Sequence, residues 1–197
     1  STGGSAPPPP AWTLGTVLGT GPWRLELDPG LGTGVSLVDQ VSGFDWLDPA
    51  APHVFGGFES GTNIEIFLGI WSGLNPSPVT VQVEEPSQVF RCARVLDRRG
   101  RLIRFYRLHE EEARLDFAAV PRISALPFTP VEDNSRHYSV SFPVRLTLPT
   151  TLEVDGPGGW YTPGADSLPG AGLGHFNHST GSRLVDAEGR WISASCL

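Results

Sequence analysis

Between His137 and Leu148 every second residue is apolar: Tyr138, Val140, Phe142, Val144, Leu146 and Leu148. His137, Ser139, Ser141, Pro143, Arg145 and Thr147 fill the places between them. A period of two belongs to a β-strand with one buried face, because successive side chains of a strand point to opposite sides. Sliding such a strand by one residue would turn its whole apolar row to water, so its register is strongly specified. Pro143 has no N–H to give to a ladder, which predicts a sheet edge or a bulge at that point.

The same period recurs along the chain. Strands are predicted over Trp23–Asp28, Gly34–Asp39, a short Gly43–Leu47, Thr80–Glu84, Val89–Leu96, Arg101–His109 and Arg114–Val120. Pro29-Gly30, Asp97-Arg98-Arg99-Gly100 and Glu110-Glu111-Glu112-Ala113 supply turn chemistry between them. The 24 Gly and 19 Pro are scattered in this way, as punctuation between many short strands. One stretch, Glu110 to Leu115, has the composition of a short helix but lacks the length to stand alone. Gly57–Gly61 reads as a loop, and residues 155–182 read as a long irregular segment. Sequential hairpins predict an all-β fold, a large antiparallel β-sandwich forming one domain over residues 11–197. Residues 1–10 end in four prolines and read as a disordered Pro-rich linker, or a scar of cloning or cleavage.

Charge narrows the partners. The net charge is −7, and the fourteen basic residues are all Arg, with no stripe longer than Arg98-Arg99-Gly100-Arg101. Nucleic acid is therefore not an expected partner. No apolar run nears the ~20 residues of a membrane-spanning helix, and no membrane partner is expected. The absence of Lys points to a GC-rich source, for which the bacterial cytoplasm is the favoured location. Cys92 and Cys196 leave one disulfide open, tying the C-terminal end to a middle strand, but they make no disulfide framework.

Three segments in order carry a resemblance: Trp23-Arg24-Leu25-Glu26-Leu27-Asp28-Pro29, Gly34-Val35-Ser36-Leu37-Val38-Asp39, and Ser42-Gly43-Phe44-Asp45-Trp46-Leu47-Asp48. Leu102–Leu108, Arg114–Phe117 and the Phe142-Pro143 strand continue it. Together they resemble the β-rich C-terminal region of glycoside hydrolase family 38 α-mannosidases. That resemblance implies a supersandwich related to galactose-mutarotase-like domains. It implies a part of a retaining α-mannosidase, whose zinc and aspartate nucleophile belong to a separate α/β domain with no counterpart here. No cofactor is expected in this chain, and zinc only in that separate catalytic domain. The implied partners are carbohydrate and a catalytic domain or chain of the same enzyme.

The residues themselves point to binding more than to turnover. Glycoside hydrolysis needs two carboxylates across a cleft, and spacing selects no pair among Asp39, Asp45, Asp116 and Asp166. Asp39 and Asp45 stand where turns use an Asx residue. His175 and His178 are three apart, while His53, His109 and His137 are scattered, a poor pattern for zinc. Sugars lay their apolar faces on aromatic rings while polar neighbours hold the hydroxyls. Trp160 and Tyr161, near Asp155, Asp166 and Asn177, are the first carbohydrate-binding candidates, and Trp71, beside Ser72 and near Asn75, is a second. The expected function is an accessory β-sandwich domain of a glycoside hydrolase. A free-standing carbohydrate-binding module and a structural or interaction domain are the alternatives.

Overall fold

In the computed structural model, the described residues are 11–19, 21–50, 54–62, 72–73, 75–84, 90–119, 136–147, 149–156, 159–161 and 182–193. Among them the fold is all-β, with antiparallel sheets, no helix and no closed barrel. The chain divides into two compact units, Ser1–Val144 and Arg145–Leu197.

In the first unit the alternating segments pair with their sequence neighbours. Strands β2 (Val17–Leu18), β3 (Trp23–Leu27), β4 (Gly34–Asp39) and β5 (Phe44–Asp45) form a four-stranded sheet in that order. A five-stranded sheet runs β1 (Trp12–Leu14), β8 (Thr80–Glu84), β9 (Phe90–Leu96), β10 (Leu102–His109) and β11 (Leu115–Ala119). Leu18, Leu25 and Leu27 from one sheet meet Val81, Ala93, Val95, Tyr106 and Leu108 from the other in a single core. This is the sandwich solution: each sheet buries one face against the other and leaves its opposite face wet. A smaller sheet places β6 (Gly57–Thr62) between β12 (Arg136–Ser141) and β7 (Ser72–Gly73).

Three local expectations change. The Glu110–Leu115 stretch is not helical; His109 N–H donates to the Arg114 carbonyl at 3.1 Å and closes the β10–β11 hairpin. Six residues cannot recover the cost of helix nucleation, whereas the hairpin earns a full ladder from Arg104–Ala119 to Leu108–Leu115. Gly57–Gly61, expected as a loop, lies in β6, paired from Arg136–Thr62 to Ser141–Gly57 with β12. Its two glycines are tolerated because both neighbours hold the backbone, and because the Phe58 N–H donates to Asn75 Oδ1 at 2.9 Å. The long alternating row from His137 stops as a strand at Ser141, two residues before Pro143. Phe142 then packs edge-on against Phe55 and Phe117, at 5.1 and 5.0 Å between ring centroids.

Several polar side chains buried in the first unit have defined partners. The Arg104 side chain is fully buried. It donates from Nε to the Gly56 carbonyl at 2.7 Å, from Nη1 to the Leu31 carbonyl at 2.9 Å and from Nη2 to Asn75 Oδ1 at 2.6 Å. Its guanidinium lies 4.4 Å over the Phe58 ring. Tyr106 Oη donates to the Gly32 carbonyl at 3.0 Å. The buried Glu59 accepts a hydrogen bond from Ser141 Oγ.

In the second unit β14 (Gly159–Tyr161), β13 (Thr151–Gly156), β15 (Ser182–Val185) and β16 (Trp191–Ser193) form one antiparallel sheet. The segment 155–182, expected to be irregular, begins in the β13–β14 hairpin, where Asp155 stands opposite Trp160, and its residues 162–181 lie outside the described residues. Asp186, enclosed at the end of β15, accepts from Arg190 Nε at 2.8 Å and from the Glu188 and Arg190 N–H groups at 3.0 and 2.8 Å. Burial pushes its carboxyl up, but these donors outweigh that and hold it below the usual carboxylate range.

Candidate functional site

Alternation on the five-stranded sheet sorts its residues to two sides. Val81, Ala93, Val95, Tyr106 and Leu108 point into the core, so Gln82, Glu84, Phe90, Cys92, Arg94, Phe105, Arg107 and His109 share the opposite face. Strand β1 adds Trp12 opposite Glu84, and β11 adds Asp116 opposite Arg107.

The side chains on this outer face are organised around rings and guanidinium groups. Arg94 lies 4.4 Å over the Trp12 ring while its Nε donates to Gln82 Oε1 at 2.7 Å. Arg107 lies 4.8 Å from the Phe90 centroid and 5.8 Å from that of Phe105. The Phe90 and His109 rings are 5.9 Å apart. Stacking of this kind orients an Arg while leaving the edges of its planar fork available.

At the β11 edge, His109 Nε2 and Asp116 Oδ2 are 3.0 Å apart, and Arg114 Nε donates to Asp116 Oδ1 at 2.7 Å. The His109 hydrogen bond, with Arg114 after it, holds the Asp116 carboxyl below the usual range. Cys92 sits at the centre of the face but is buried, as a free thiol. Burial, then the hydrogen bond to Glu84, pushes it up to about 11. A thiol held that far up carries almost no thiolate at neutral pH, so it is not a nucleophile beside His109.

The carboxylates considered for catalysis are engaged in local structure. Asp39 takes the Val41 N–H at 2.9 Å and the Ser42 hydroxyl at 2.6 Å, and the Ser42 bond holds its carboxyl low. Asp45 accepts from the Leu37 and Leu47 N–H groups, both at 3.0 Å. Among the described residues no group of three His, Cys, Asp or Glu side chains could hold a metal ion.

Of the residues expected from sequence to bind carbohydrate, Trp160 and Tyr161 lie on β14 in the second unit. Trp71 and Asp166 lie outside the described residues, as do His175, His178 and Cys196. Sequence reasoning missed the outer face of the five-stranded sheet. Its signal was present in the two strands Phe90-Arg91-Cys92-Ala93-Arg94 and Phe105-Tyr106-Arg107-Leu108-His109, whose second register alternates aromatic and cationic residues. No protein-family model, curated protein or solved structure matches this chain.

Proposed function

We propose that this chain is a non-catalytic glycan-binding β module, of the accessory kind that serves a glycoside hydrolase, and that it meets its ligand on the outer face of the five-stranded sheet. The observation that carries the reading is the set of half-buried aromatic rings on that face, Trp12, Phe90 and Phe105, interleaved with Arg94, Gln82, Arg107 and His109. Rings offer apolar sugar faces a platform, and fixed polar groups beside them meet the hydroxyls. The hydrolase setting is supported by the order of strand motifs that resembles the α-mannosidase sandwich region.

A glycan array probed with the whole chain tests this. Binding is expected, and Trp12→Ala and Phe105→Ala should each weaken it roughly tenfold, equivalent to ~1.4 kcal/mol. Trp160→Ala, in the second unit, should leave it unchanged. Absence of any bound glycan would overturn the reading. Turnover of a chromogenic mannoside by the chain alone would overturn its non-catalytic part.

A further inference from the structure

We infer that the ligand of this face is an acidic glycan, a chain bearing hexuronic acid carboxylates; the inference rests on the glycan-binding reading above. The protein as a whole is acidic, at −7. The outer face does not share that balance: Arg94 and Arg107 stand with Glu84 and Asp116, and Arg114, just before β11, pairs with Asp116 at 2.7 Å. With Asp116 taken up by Arg114, the charges left to a partner on this face are those of Arg94 and Arg107, which favour an anionic one.

The state of two arginines is more telling than their number. Among the described residues Arg94 is held by neutral groups, the Trp12 ring at 4.4 Å and Gln82 Oε1 at 2.7 Å through Nε. Its two Nη groups, the paired donors that match a carboxylate, are left for a ligand. Arg107 is held by the Phe90 and Phe105 rings, and its nearest carboxylate contact is long, 3.9 Å from Nη1 to Asp116 Oδ2. Its Nε is buried without a hydrogen-bond partner, while the side chain as a whole is 41% exposed. Neither charge is neutralised by a short ion pair, yet both planes are fixed by stacking.

These two cations are diagonal neighbours. Arg94 stands opposite Phe105, and Arg107 opposite Cys92, two places along adjacent strands. Their backbones are thus about 7–8 Å apart, the Arg94 guanidinium reaching toward Trp12 and that of Arg107 lying 5.8 Å from the Phe105 ring. A uronate chain that reaches both guanidinium groups can give each a carboxylate and lay a sugar face on a neighbouring ring. Lys at these two positions would supply charge but not the planar fork that matches a carboxylate.

Titration calorimetry on the whole chain with oligogalacturonate, its carboxyl-reduced neutral counterpart and a dextran sulfate fragment, which is anionic without carboxylates, tests the inference, with circular dichroism reporting the fold of each variant. Oligogalacturonate should bind at least about tenfold tighter than the neutral counterpart. Arg94→Gln and Arg107→Gln should each weaken it about tenfold, and Arg94→Lys should restore only part of the loss. If the neutral oligomer binds equally well and Phe105→Ala still weakens it, glycan binding stands and the acidic ligand is wrong. If dextran sulfate binds as tightly as the uronate and Arg94→Lys restores binding fully, the face reads charge alone and the carboxylate is wrong. If none of the three glycans binds, the acidic ligand is wrong whatever other glycan the array finds, and a blank array removes the glycan reading as well. Should a glutamine variant lose its fold, the carboxyl-reduced oligomer and Arg94→Lys decide the same question on folded protein.

Discussion

Arg104 Nη2 donates to Asn75 Oδ1 at 2.6 Å across 29 positions of chain. The same oxygen accepts the Phe58 N–H of β6 at 2.9 Å. One amide oxygen therefore joins a buried cation to a strand backbone. Asn75→Ala orphans both donors and is expected to destabilise by about 2–4 kcal/mol, since an unpaired buried donor loses its full desolvation energy and a charged one more. Asn75→Asp keeps an acceptor in place and should recover most of that loss. Urea titration with an unchanged slope checks both.

A second prediction concerns the turn before β4. Gly32 has φ +66°, and a Cβ there would sit 2.3 Å from Val95 Cγ1, in the core. Gly100 has φ +72° in the β9–β10 turn, with nothing within 4 Å of its would-be Cβ. Gly100→Ala should lose only the left-handed backbone term, about 1–2 kcal/mol. Gly32→Ala adds overlap with a fully buried side chain and should lose about 2–5 kcal/mol. Thermal melts of the two variants separate backbone strain from packing.

Acid should loosen the β10–β11 edge. Asp116 is held below its unfolded value by His109 and Arg114, so its contribution is present above the unfolded pKa. It is lost as pH falls through the lower, folded value. Asp116→Asn should therefore show a smaller drop in urea midpoint than the parent between about pH 5 and pH 2.5. An identical drop would show that this carboxylate is not linked to folding.

Cys92 should resist modification. With its thiol pushed up to about 11 and its side chain enclosed, disulfide exchange at pH 7.5 should be far slower than in urea-unfolded chain. A Cys196→Ser variant lets the reagent report on Cys92 alone. Raising the pH to 9 should increase the rate more steeply than for a free thiol already near half-ionised.

The all-β class and six of the first unit's strands, β3, β4 and β8 to β11, are legible as period-two rows because local alternation encodes a half-buried sheet. β6 is not legible. Gly57 and Gly61 lower its strand propensity, and only pairing with β12, far along the chain, makes it a strand. The end of β12 is legible only through Pro143, whose missing N–H outweighs an unbroken apolar pattern. The candidate face was half legible. Its aromatic and Arg residues alternate within β9 and β10, but Trp12 reaches Arg94 because β1 joins the edge of β8, a pairing that spans about seventy residues and leaves no local trace.

The three acceptors of Arg104 lie 48, 73 and 29 positions from it in the chain. No short segment can satisfy this guanidinium by itself, and dehydrating it before all three arrive is penalised. Half-assembled forms of the first unit are thereby disfavoured, and its folding and unfolding become concerted: a single buried cation makes four distant stretches of chain arrive, and leave, together.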